Sequence, residues 1–168
     1  VTACLIKGFA LGGGLELALV CDFIGADHEA RLGFPEIRLA CFPPVAAVLL
    51  PRWIGKQSNL LLTGDTISAQ RAAEIGIVDD VISPEHSAEW LQHFKDKIGS
   101  YSLDALRILK KALRKNAGFD FDKALQDCEK IYVKELLASP DAVEGVLAFL
   151  EKRSPVYGAK SKPKRRYR

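Results

Sequence analysis

Methionine is absent from this 168-residue chain, and cysteine and histidine number only four and three. Each shortage excludes something. Cys4, Cys21, Cys41 and Cys128 form no C-x-x-C pair and have no histidines at ligand spacing, so they read as buried thiols of a reducing compartment. His28, His86 and His93 are too dispersed for a metal or nucleophile constellation, and Ser58, Ser68 and Ser102 lack a matching base. No metal site and no covalent mechanism are expected. Long hydrophobic runs are missing too: the longest, residues 45–50, is closed by Pro51 and Arg52, which argues for a soluble, cytoplasmic protein with no membrane partner. No initiator methionine precedes Val1, and the first residues read as a strand already under way, so the chain reads as a piece of something longer. The net charge of +3 misleads, because Lys160, Lys162, Lys164, Arg165, Arg166 and Arg168 crowd the end while the remaining body is mildly acidic. Without aromatic interleaving, that end reads as a basic flexible tail over 154–168 and not as a nucleic-acid site.

What is present is an α/β pattern followed by helices. Residues 1–7 form an apolar β-rich run, a turn follows over 7–11, and the glycines at 12–14 permit a tight entry into a helix over 13–20. That helix is expected to carry Leu15, Leu17, Ala18, Leu19 and Cys21 into a core. A second strand over 23–26 would complete a βαβ-like unit. The proline-rich stretch 31–44 reads as a structured loop, Pro44 opens a helix to about 50, and another helix spans 57–63. Ser68 caps a helix ended by Gly76, and 77–82 reads as a strand. Amphipathic helices then run from Ser83–Pro84 to 98, from Ser102 to 117, from 120 or 121 to 138, and from Ser139–Pro140 to 153, most of them expected to bury one face as scaffold. Three zones follow: a core over 1–82, a helical region over 83–153, and the tail.

One constellation could do chemistry. The glycine turn is no phosphate loop, since Lys-Ser/Thr does not follow, and no dinucleotide fingerprint, since the G-x-G-x-x-G spacing fails. What remains is a helix start whose N–H at Gly13 can point at a ligand oxygen on which negative charge develops. Glu16, among apolar neighbours, must be exposed, hydrogen-bonded or functional. Glu36 sits in the stiff Pro35-Glu36-Ile37 turn. If the two carboxylates face one another, one can activate water while a protonated partner delivers a proton. Spacing alone leaves that open. Asp22 reads as a structural group at a helix end.

At these residues the chain resembles the enoyl-CoA hydratase/isomerase (crotonase) family. The likeness rests on Gly8-Phe9-Ala10-Leu11-Gly12-Gly13-Gly14-Leu15-Glu16-Leu17-Ala18 with Cys21-Asp22, on Gly33-Phe34-Pro35-Glu36-Ile37, and on Leu62-Thr63-Gly64-Asp65-Thr66-Ile67-Ser68-Ala69. It extends through Ala72, Gly76 and Val78 to Phe149-Leu150-Glu151-Lys152-Arg153. The resemblance implies a crotonase-like (ClpP/crotonase) fold, here the C-terminal part of its α/β spiral core followed by a helical trimerisation region. It implies an acyl-CoA thioester substrate, with coenzyme A part of that substrate and no separate cofactor. Gly13 would give one oxyanion-hole N–H, and Glu16 and Glu36 match both acid–base glutamates of family hydratases. Phe149 and Lys152 would approach bound CoA across a homotrimer or hexamer contact, the lysine favouring phosphate. The family's other oxyanion N–H and most CoA contacts come from a half that precedes Val1, so the chain alone is expected to be inactive. Phe42-Pro43-Pro44-Val45 is similar to the branch that hydrates cyclic dienoyl-CoA thioesters. Isomerase, ring-cleaving hydrolase and non-catalytic thioester-binding readings remain open alternatives.

Overall fold

The computed structural model describes residues 1–115, 118 and 120–157. The basic tail falls outside the described residues from 158 onward, as does the end of the helix expected to reach 117. Strand β1 (Ala3–Ile6) ends where Gly8 takes a φ of 65°, and the backbone leaves as a second strand, β2 (Phe9–Leu11). Helix α1 (Gly13–Leu19) leads into β3 (Phe23–Asp27) and β4 (Arg31–Gly33), then a 3₁₀ helix over Pro35–Leu39 and helix α2 (Pro44–Trp53). A 3₁₀ turn over Gly55–Asn59 precedes α3 (Leu60–Thr63), β5 (Thr66–Ser68), α4 (Ala69–Glu74) and β6 (Asp80–Ile82). Helices follow: a 3₁₀ turn over Pro84–His86, α5 (Ser87–Gly99), α6 (Leu103–Lys115), α7 (Phe121–Ile131), a π-helical turn over Tyr132–Leu136, and α8 (Pro140–Leu150).

Two small sheets organise the first part. In one, β1, β3 and β6 run parallel in the order β1-β3-β6, with Ala3 opposite Phe23 and Gly25 opposite Asp80. The β1-α1-β3 crossover is the βαβ unit expected from the sequence. In the other, β2 pairs parallel with β4 and β4 pairs antiparallel with β5, Leu32 facing Ile67. This second sheet corrects the reading of 7–11 as a turn and of 31–33 as loop. Strands of three residues show no alternation, and it is their mutual pairing across the chain that makes them strands. The strand expected over 77–82 shortens to Asp80–Ile82, because the Ile77 and Val78 amides both donate to the Ala72 carbonyl and close α4. Asp79 then stitches to β3, its amide donating to the Ile24 carbonyl and its carboxylate accepting from the Ile24 amide at 2.7 Å.

The core gathers Leu15, Leu19, Leu32, Phe34 and Leu50, all essentially enclosed. Leu15, Ala18 and Leu19 share the inner stripe of α1, whereas Leu17, two residues from Leu15 and so on the far side of a 3.6-residue turn, is 70% exposed. The expectation that Leu17 is core is thereby overturned. The cysteines are free but half-buried instead of buried. Helix α2 runs through Pro51 to Trp53, beyond the end expected at 50. The helix expected over 57–63 divides into the 3₁₀ turn and the short α3, and the one expected to reach 138 passes into the π-helical turn at Tyr132.

The helical region departs most from expectation. Ser68, Asp120 and Ser139 cap α4, α7 and α8 as anticipated, each side chain accepting a backbone N–H three residues on. Ser83 instead bonds the His86 ring at 2.6 Å. The apolar face of α6 is not buried: Leu103, Ile108, Leu109 and Leu113 all face solvent, and α7 buries no residue fully. No helix among the described residues is long and apolar enough to cross a membrane.

Candidate active site

Gly12 is the pivot of the site. Its φ of 54° with ψ of −127° is a conformation that side-chain-bearing residues avoid. In it, the Gly12 amide donates to the Gly33 carbonyl at 3.0 Å, and its carbonyl accepts the Leu15 and Glu16 amides that begin α1. Gly13, the first residue of that helix, has an N–H without an intrahelical acceptor and stands beside open space. A Cβ on Gly12 would overlap the Glu36 Oε1 atom, so the Glu36 carboxyl lies directly against this turn.

Glu36 is delivered there by stiff local structure. Phe34 is fully buried, Pro35 takes the first position of the 3₁₀ helix, and Ala40 ends it in the left-handed region at φ 52°. The Cys41 amide closes the turn on the Glu36 carbonyl at 3.0 Å. Glu36 Oε2 is buried without a hydrogen-bond partner among the described residues. Burial raises the Glu36 carboxyl above its ordinary value, its own amide works against that rise, and the negative charge of Glu16 adds to it.

Glu16 is half-buried on α1, and its Oε1 accepts the Ala46 amide at 2.9 Å. Ala46 lies in the first turn of α2, where N–H groups lack intrahelical partners, so Glu16 caps a neighbouring helix while standing near Glu36. The structure therefore brings Gly13, Glu16 and Glu36 together around one turn. Phe149 is 65% exposed and Lys152 is exposed; both face solvent, while the buried stripe Ala142, Gly145 and Ala148 packs α8 toward the 3₁₀ helix. Asp22, as expected, is structural: it accepts the Thr2 amide and hydroxyl and pairs with Lys110.

Sequence reasoning overlooked the neighbours that α7 and the π-helical turn after it supply. Tyr132 packs edge-on against Phe42 with ring centres 5.1 Å apart. Burial raises its phenol, and Cys41 and the Glu36 charge push the same way. Burial likewise raises Cys128, with the Glu16 charge contributing. Cys128 and Tyr132 are four apart inside a stripe that reads as plain core, and their polar edges were the available signal. Among the described residues no group of three or more His, Cys, Asp or Glu could hold a metal ion.

The family model for enoyl-CoA hydratase/isomerase matches residues 1–160. The chain is 39% identical over 151 residues to the cyclohexa-1,5-dienecarbonyl-CoA hydratase of Thauera aromatica, covering 89% of this chain and 58% of that protein. It is 37% identical over 153 residues to the 2,3-dehydroadipyl-CoA hydratase of Escherichia coli, covering 89% and 60%. A crystal structure of an enoyl-CoA hydratase/isomerase from Pseudoalteromonas atlantica superposes with a TM-score of 0.82 at 28% identity, covering 92% of this chain and 63% of that one. The chain thus spans less than two thirds of the length of these relatives. Fold, turn geometry and these matches agree: the chain belongs to the enoyl-CoA hydratase/isomerase family and has its crotonase-like α/β fold.

Proposed function

We propose that the full-length protein adds water across the 2,3 double bond of an α,β-unsaturated acyl-CoA thioester. The observation that carries this reading is the placement of Glu36 against Gly12 and beside Glu16, with its carboxyl raised so that it retains a proton at higher pH. Glu16, one oxygen fixed by the Ala46 amide, has its other oxygen for water. Water adds to C3 and yields a proton to Glu16, while Glu36 gives its proton to C2. The charge that develops on the thioester oxygen is met by the Gly13 N–H and by a second donor outside this chain. A pair of carboxylates in unlike environments is what such acid–base chemistry needs.

Coenzyme A enters as part of the substrate, with Phe149 and Lys152 as candidate contacts in a homotrimer or hexamer. The exposed apolar face of α6 supports such assembly, since burying Leu103, Ile108, Leu109 and Leu113 against another surface would remove that face from water. For the acyl group, a cyclic dienoyl thioester is the first candidate. Its support is the stiff Phe42-Pro43-Pro44 wall with Tyr132 packed on Phe42, and the 39% identity to a hydratase of that kind. Mass-resolved turnover of linear and cyclic enoyl-CoA thioesters by the full-length protein tests the reading. A gain of one water, lost in Glu16→Gln and Glu36→Gln with binding retained, is the expected result. A shifted double bond without added oxygen would show isomerisation instead, unchanged turnover in both variants would show that the two glutamates do not carry the reaction, and binding with no turnover in the wild-type protein would leave only thioester binding.

A further inference from the structure

The 3₁₀ helix that carries Glu36 is gripped from the far end of the chain. Helix α8 packs so closely on it that a Cβ at Gly145 would overlap the Leu39 carbonyl. Beyond α8 the backbone reverses at Lys152, which takes a left-handed φ of 52°. The reversal is locked by Arg153, whose guanidinium reaches both oxygens of Glu144 at 2.5 and 3.0 Å and Glu151 at 2.6 Å. Glu144 Oε1 also accepts the Val156 amide at 2.9 Å, which aims the next residue back toward the core. That residue is Tyr157, and its hydroxyl donates to the Arg38 carbonyl at 2.6 Å. Arg38 is two residues from Glu36, inside a short 3₁₀ helix whose internal hydrogen bonds are of poorer geometry than those of an α-helix.

We propose that Tyr157 is a positioning residue for Glu36, a hook formed by 151–157 and fastened by the Glu144–Arg153 fork that holds the 3₁₀ helix against the Gly12 turn. The inference rests on the reading of Glu36 as proton donor. The hydroxyl of Tyr157 meets the 3₁₀ helix at the Arg38 carbonyl, so the hook acts through the backbone and contributes no proton of its own. Reaction rates fall steeply with small displacements of a reacting group, and an external tether on a weakly bonded turn limits such displacement. The titratable and charged groups around Glu36 are Glu16 on α1, Cys41, and Tyr132 on the π-helical turn; on its own helix, Arg38 points to Asp65 at 3.8 Å.

Tyr157→Phe removes one hydroxyl and tests the idea in the full-length protein. The expected result is a fall in kcat of about three- to tenfold at unchanged KM, in keeping with loss of one hydrogen bond. Loosening also admits water to Glu36, so the alkaline limb of the kcat profile moves to lower pH. Amide exchange at Ala40 and Cys41, which close the 3₁₀ turn, accelerates. Arg153→Met, which opens the fork while keeping Tyr157, shifts the same three readouts in the same direction. In a Glu36→Gln background, Tyr157→Phe has no further effect on the residual rate, because its action passes through Glu36. Unchanged kcat and pH profile in Tyr157→Phe, or an equal rate loss with and without Glu36, would overturn the hook. If Glu36→Gln itself leaves turnover intact, the parent reading fails, and the exchange readout alone then reports whether the hook holds the turn.

Discussion

Gly12→Ala sets conformation and site chemistry against one another at a single atom. The added methyl must occupy space held by Glu36 Oε1, with Cδ of the same residue at 3.1 Å. To reach ordinary van der Waals separation the carboxyl must draw back by about 1 Å. The backbone adds to this, since alanine at φ 54° and ψ −127° carries roughly 1–3 kcal/mol of strain. Two effects are therefore expected, and they are read by different measurements. Stability falls by roughly 1–3 kcal/mol, which lowers Tm by several degrees in a domain of this length. Turnover falls by about 100-fold, the usual consequence of misplacing a reacting group by that distance, and equivalent to about 2.7 kcal/mol of barrier. Chemical denaturation and steady-state hydration of an enoyl-CoA thioester, both on full-length protein well below its Tm, separate the two. A variant that folds normally and keeps kcat within threefold of wild type would refute the placement of Glu36 against this turn.

Other outcomes follow from the same geometry. Gly13→Ala meets no neighbour within 4 Å and stands in a helix, so stability is unchanged or gains up to about 1 kcal/mol, while its methyl intrudes beside the proposed oxyanion donor and kcat falls. Denaturation and kinetics moving in opposite directions verify this; a parallel loss of both contradicts it. The Glu36 carboxyl is raised in the folded state, so its unfavourable contribution is absent below its ordinary value of 4.5 and grows as pH rises through the raised one. Glu36→Gln is accordingly more stable than wild type at pH 7, with no advantage at pH 4, and denaturation at the two pH values checks it. Glu144 has the opposite sign: the Arg153 guanidinium holds it down to about 2, so what it contributes is present above 4.5 and lost as pH falls toward 2. Exchange of the Val156 amide across that interval reads it directly. Ser139→Ala removes the side chain that accepts the Ala142 amide and costs about 1 kcal/mol at the start of α8.

The parts legible in the sequence were those written in local chemistry. Ser68, Asp120 and Ser139 announce helix starts because a cap and its N–H lie three residues apart. The glycines at 12–14 announce the strand-to-helix turn because only glycine tolerates the Gly12 conformation. The second sheet was illegible for the converse reason: β2, β4 and β5 exist through pairing across tens of residues, and three-residue strands hold too few side chains to alternate. The site was half legible. Glu16 and Glu36 stood out as carboxylates in apolar or rigid settings, yet their approach depends on the Gly33 carbonyl holding the Gly12 amide, a long-range contact with no sequence signature. Tyr132 was hidden by its own context, a stripe in which an aromatic reads as packing. The apolar face of α6 misled because periodicity says which residues share a face and nothing about what covers it.

The bond from Glu16 to the Ala46 amide joins two properties that enzymes usually adjust separately. Residues 42–45 shape one side of the proposed acyl pocket, and the very next amide fixes the carboxylate that would hold water. Selectivity for a new acyl group cannot be tuned by lengthening or re-registering this segment without also moving that donor, and a proline at position 46 would delete it outright. Variation here is confined to side-chain exchanges that leave the backbone path intact, so a change of substrate on this scaffold is more readily reached through residues such as Tyr132, which approach the carboxylates from a different helix.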